Sequence, residues 1–132
     1  KNQHKALEEA REYLAKVGLS DKSEHLAKDL TLMQRKRLEL ARALATEPKL
    51  LFLDELMAGL NFAEADQVMD TIREIRDSGV TILIVEHIMK AVMGLSDRII
   101  VLNMGQKIAE GSPHDIAHNP QVIDVYLGKS HA

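Results

Sequence analysis

The chain has 132 residues, is 45% hydrophobic and 28% charged, and carries a formal net charge of −3. That is enough for one domain with a real core, and the net acidity gives no reason to expect a nucleic-acid partner. There is no cysteine, hence no disulfide framework and no thiolate metal site; two Phe, two Tyr and no Trp leave the core to aliphatic residues. No stretch approaches the ~20 apolar residues of a membrane span, and no signal-peptide pattern is present. The chain opens at Lys1 without Met and runs directly into a helical pattern, so it reads as the interior of a longer protein.

Leu7, Ala10, Leu14 and Val17 recur at helical spacing and predict a helix over 3–17, stopped at Gly18. Ser20 is a candidate cap for a short second helix through Lys28. A helix is expected over 32–46, with Leu38, Ala41, Leu44 and Ala45 on one face, and Pro48 bars its continuation. Residues 50–53 are an unbroken apolar run and predict a strand buried on both faces. A loop at 57–61 leads to a helix over 63–77 with Val68, Ile72 and Ile75 on its buried side. Residues 80–85 are rich in β-branched side chains and form the clearest strand. A short helix over 88–95 follows, then strands over 98–102 and 106–109 around a hairpin-type turn at Asn103-Met104-Gly105. Ser112-Pro113 has the cap-then-proline signature of a helix start, and a last helix is expected over 120–127. Strands alternating with helices argue for an α/β sheet with a small antiparallel addition.

The first strand runs into Asp54 and Glu55. Such a strand delivers the residues after it to the carboxyl edge of the sheet, where α/β proteins bind ligands. Two carboxylates there can divide labour, one holding magnesium and the next polarising water; they can also simply end a strand in solvent. A histidine after a strand, as at His87, is by itself more often a structural or surface residue. His4, His25, His114, His118 and His131 lie in polar stretches without metal-ligand spacing and read as solvent-exposed.

Five segments in order carry a resemblance. They are Leu30-Thr31-Leu32-Met33-Gln34 followed by Arg37 and Ala41-Arg42-Ala43-Leu44; residues 50–55; Ala58-Gly59-Leu60-Asn61; Val85-Glu86-His87; and Ser96-Asp97-Arg98-Ile99 with the Gly105 hairpin. From about Leu14 onward the chain resembles the second half of the ATP-binding subunit of ABC transporters. The segments stand where that family has its signature, Walker B strand, D-loop and switch-histidine loop. Asn61 and the tail from Gly111 to Gly128 look most like the ATPases of branched-chain amino-acid importers.

The resemblance implies a partial P-loop NTPase-type, mainly parallel sheet with flanking helices and a small C-terminal β-hairpin, residues 1–132 making one incomplete ATPase domain. It implies ATP and Mg2+ as ligands: Asp54 for the metal, Glu55 and His87 as catalytic residues, and Thr31, Gln34 and Asn61 as nucleotide contacts. It implies a second ATPase subunit and transmembrane permease subunits as partners, with no nucleic acid, and a cytoplasmic location on the inner face of the membrane. Leu32 and Met33 depart from it, since the family usually has two glycines there; Leu56 departs too, where many members have Pro. Arg37 is expected to tether the signature helix to nearby carboxylates.

No G-x-x-x-x-G-K-[ST] occurs in the sequence, so the phosphate nest and its lysine are not supplied here. The chain alone is therefore expected to be inactive and, with strands of the sheet lacking, to form a homo-oligomer. The alternative is a non-catalytic fragment or degenerate module that self-associates without nucleotide. A third reading, an unrelated metal-dependent hydrolase using Asp54 and Glu55, would need further carboxylates at strand ends.

Overall fold

The computed structural model describes residues 2–128. The chain divides into two compact units, one ending at His87 and the other beginning at Ile88.

The first unit opens with helix α1 (Gln3–Lys16), capped by the Asn2 side chain. It ends as the sequence expects. Gly18 takes φ +75°, Leu19 N–H donates to Leu14 O at 2.8 Å and Gly18 N–H to Ala15 O at 3.1 Å, which is the paired closure of a Schellman motif. The helical spacing of Leu7, Ala10 and Leu14 is not accompanied by burial. No residue within the helix is buried, Leu7 is exposed, and burial begins only at Val17 and Leu19, because the helix engages its neighbours through its C-terminal end. The second helix expected from Ser20 to Lys28 is two 3-10 turns, Ser20–Lys22 and Ala27–Asp29, and Ser20 caps neither.

Helix α2 (Leu32–Leu44) buries Leu40, Ala41 and Leu44. Strand β1 (Leu50–Asp54), helix α3 (Phe62–Asp77) and strand β2 (Thr81–Val85) form a β–α–β crossover unit: β1 and β2 are parallel neighbours, Leu50 opposite Thr81 and Asp54 opposite Val85. Val68, Ile72 and Ile75 are buried on α3 as the periodicity requires.

The strands are not buried on both faces, contrary to the sequence expectation. Leu51 and Leu53 are buried, whereas Leu50, Phe52, Leu83 and Val85 are 45–66% exposed. Side chains alternate across a strand, so in this two-stranded sheet one face meets the core and the other has no covering element among the described residues.

The second unit contains helix α4 (Met89–Leu95), strands β3 (Ile99–Asn103) and β4 (Gln106–Gly111), and helices α5 (Pro113–Ala117) and α6 (Pro120–Val122). The expected helix over 120–127 is instead α6 followed by a wide π turn at Ile123–Leu127. The hairpin turn places both Met104 and Gly105 at positive φ, 49° and 78°, the pattern of a type I′ turn. Pairing shifts between Val101 and Leu102, leaving Ile108 as an extra residue on β4. That bulge lets the successive residues Ile108 and Ala109 both pack on the core of Ile99, Val101, Ile116 and Val122. The Ser112 side chain accepts from Asp115 N–H, and Pro113 stands in the first turn of α5.

Candidate functional site

The parallel pairing of β1 and β2 brings two chain ends to one sheet edge. Asp54 closes β1 opposite Val85, and Glu55 N–H continues the ladder by donating to Val85 O at 2.8 Å. Glu55 then leaves the strand at φ +49°. That conformation costs a non-glycine residue about 1–2 kcal/mol. It turns the chain sharply, and the next two side chains, Leu56 and Met57, are buried. Leu56 thus anchors the turn in the core through its apolar side chain.

Glu55 and His87, far apart in sequence, meet at this edge. His87 Nδ1 lies 3.3 Å from Glu55 Oε1. An ionised carboxylate oxygen only accepts, so a hydrogen bond here requires the proton on Nδ1. Both side chains remain more than half exposed, open to a ligand. Asp54 is exposed one residue earlier. Among the described residues no group of three or more His, Cys, Asp or Glu is placed to hold a metal. Asp54 offers a hard, exposed carboxylate oxygen of the kind that suits Mg2+.

The expected nucleotide contacts sit at two helix starts. Thr31 caps α2: its Oγ1 accepts from Gln34 N–H at 3.3 Å, and Gln34 Oε1 accepts from Thr31 N–H at 3.0 Å. Asn61 and Glu64 make the same reciprocal pair at the start of α3, at 2.9 and 3.0 Å. The T-x-x-Q and N-x-x-E spacings carried this signal in the sequence. On the capping side chains only the acceptor oxygens are used, so the Thr31 hydroxyl proton and the side-chain amide N–H groups of Gln34 and Asn61 are not consumed by it. The two segments also touch. Gly59 has φ +81°, and a Cβ built on it would stand 2.9 Å from Leu32 Cδ2.

Arg37 does not reach a carboxylate as expected. Its Nη2 donates to Gln67 Oε1 at 3.3 Å, because the guanidinium lies over Gly18, with Nη1 3.0 Å from where a Cβ there would stand. His4, His25, His114 and His118 are exposed; His131 lies outside the described residues. Sequence reasoning passed over Glu86, whose side chain is only 3% exposed beside His87. An acidic residue between an apolar strand and a candidate histidine was the available signal.

A family model described as "ABC transporter" matches residues 1–58. One described as "Branched-chain amino acid ATP-binding cassette transporter" matches residues 106–132. The chain is 43% identical over 129 residues to the high-affinity branched-chain amino acid transport ATP-binding protein LivG of Salmonella typhimurium, covering 97% of this chain and 51% of that protein. To the corresponding protein BraF of Pseudomonas aeruginosa it is 41% identical, over 98% of this chain and 51% of the relative. The solved structure of MJ1267 in its ADP conformation, an ATP-binding cassette of an ABC transporter, superposes with a TM-score of 0.87 at 31% identity, over 97% of this chain and 52% of that one. The chain thus spans about half the length of the curated relatives it matches. The chain shares its α/β fold with such cassettes and is similar along nearly its whole length to the ATP-binding proteins of ABC transporters.

Proposed function

We propose that this chain is the hydrolytic part of one incomplete ATPase domain whose parent protein drives import of branched-chain amino acids. The observation that carries the reading is the 3.3 Å approach of Glu55 Oε1 and His87 Nδ1 at the ends of two adjacent parallel strands. In this reading Glu55 polarises the attacking water, a role typically worth ~10²–10⁴ in rate. His87 meets the terminal phosphate, Asp54 helps hold Mg2+, and Mg2+ supplies charge neutralisation on the phosphates. Thr31, Gln34 and Asn61 present their remaining donors to nucleotide at helix starts, where an anion is favoured. The substrate class rests on what the names of the relatives say they transport. The parent works with a second ATPase subunit and with membrane permease subunits at the inner face of the membrane. No helix among the described residues is long and apolar enough to cross a membrane itself.

The test is a chimera that joins this chain to the half of LivG it does not match. ATP turnover in the chimera, reduced ~10²–10⁴-fold in Glu55→Gln with ATP binding retained, supports the reading; Glu55→Gln at the unaltered rate removes Glu55 from it. The chain alone, without a phosphate-cradling loop, is expected to bind Mg·ATP poorly. Micromolar affinity by titration calorimetry would contradict that.

A further inference from the structure

Glutamate is rarely buried unless it is paired, yet the Glu86 side chain is only 3% exposed. Its partners are on the next residue. Oε1 accepts from the backbone N–H of His87 at 3.2 Å and stands 3.8 Å from His87 Nδ1. His87 Nδ1 therefore has two carboxylate oxygens near it, Glu55 Oε1 at 3.3 Å and Glu86 Oε1 at 3.8 Å. The three side chains differ sharply in exposure, 54% for Glu55 and 65% for His87 against 3% for Glu86. Glu86 is thus shielded from solvent and from any ligand, while the ring it holds is open.

We infer that Glu86 is a positioning residue for His87: it holds the histidine's backbone and turns the Nδ1–H edge toward Glu55, leaving Nε2 as the edge that meets an anionic ligand. A buried carboxylate that accepts a hydrogen bond is held in one place more firmly than an exposed side chain. Fixing the backbone amide fixes the direction in which the ring leaves the strand. With the proton on Nδ1, the neutral ring presents a lone pair at Nε2. Donation from Nε2 to a phosphate oxygen then uses the doubly protonated ring, whose positive charge faces the two carboxylates. The identity of the anion rests on the function proposed above; the orientation of the ring does not.

Two-bond proton–nitrogen NMR of the His87 ring, on this chain without nucleotide, reads the orientation directly. In the neutral ring the expected form carries its proton on Nδ1. Glu86→Ala shifts the population toward the Nε2–H form that dominates free imidazole, while Glu86→Gln, whose amide oxygen accepts the same N–H, retains the wild-type form. A wild-type ring protonated on Nε2, or a Glu86→Ala ring unchanged from wild type, overturns the inference. If Glu86→Ala does not fold, the wild-type tautomer and the Glu86→Gln spectrum decide it. In the LivG chimera, Glu86→Ala lowers kcat about tenfold, as small misplacements of reacting groups do, with KM little changed and Glu86→Gln restoring most of the rate. An inactive wild-type chimera would count against the proposed function and leave the NMR result standing.

Discussion

Leu32 Cδ2 occupies the space that a side chain on Gly59 would need, 2.9 Å from the Cβ position. The first residue of α2 thereby closes over the turn that follows β1, and Gly59 is constrained twice, by this contact and by its φ of +81°. Gly59→Ala is expected to cost about 2 kcal/mol, the sum of a strained φ and an overpacked contact. In a Leu32→Ala background the steric part disappears and about 1 kcal/mol remains. Urea unfolding of the four variants checks this; additive costs would show that the two residues do not press on each other.

Glu55 holds a left-handed conformation at φ +49°. Glu55→Gly should relieve ~1–2 kcal/mol of strain and lose ~0.5–1 kcal/mol to backbone entropy. The expected outcome is a chain as stable as wild type or slightly more so, though without the carboxylate. A clear destabilisation in thermal unfolding would mean that the Glu55–His87 contact, rather than the backbone, governs this position.

Alternate residues of β1 are expected to respond very differently to truncation. Leu53 is buried and Phe52 is 66% exposed, so Leu53→Ala should cost ~2–5 kcal/mol, whereas Phe52→Ala should cost under about 1 kcal/mol. The exposed row of Leu50, Phe52, Leu83 and Val85 is also the expected surface for self-association of the chain. Sedimentation of Phe52→Lys should show a smaller assembly than wild type; equal assemblies would place the contact elsewhere.

The hairpin turn offers a stabilising change. Met104 is 96% exposed and holds φ 49° ahead of Gly105, where type I′ turns favour asparagine. Met104→Asn should raise stability by about 0.5–1 kcal/mol. An unchanged or lowered midpoint in urea would show that strain at this turn is not limiting.

The same hairpin should weaken in acid. Glu110 is held below its ordinary value of 4.5 by its hydrogen bond to Lys107, with the charge of that lysine and of Arg98 adding to the effect. A carboxyl lowered in the folded state contributes stability that is present above its unfolded value and is lost as pH falls through the folded one. Amide protection in β3 and β4 should therefore fall below about pH 4.5 in wild type, and fall less in Glu110→Gln. Identical acid profiles would remove this pair from the account.

Much of this was legible in the sequence because it depends on local chemistry. Gly18, Ser112-Pro113 and the Met104-Gly105 turn act within a few residues, and the buried side of α3 follows from its periodicity. The approach of Glu55 to His87 follows once their strands are taken as parallel neighbours. What was not legible depended on surroundings. Residues 50–53 are all apolar, so nothing in their order distinguishes Leu51, which meets the core, from Phe52, which meets solvent. The apolar stripe of α1 likewise says nothing about whether a partner for Leu7 is present. Glu86 read as a loop residue, since only the fold tells a shielded carboxylate from a solvated one. Arg37 was expected to seek a carboxylate, but the close approach of Gly18 aims it at the Gln67 amide instead.

The two sheets also differ in how fast they can form. The hairpin of β3 and β4 closes over two residues, a process of ~1–10 μs, and its bulge fixes register as it zips. The β1–β2 pair cannot form until α3 has been carried across between them, and such non-local pairing is intrinsically slow. The edge that joins Glu55 to His87 is therefore expected to be the last part of the chain to acquire its native geometry.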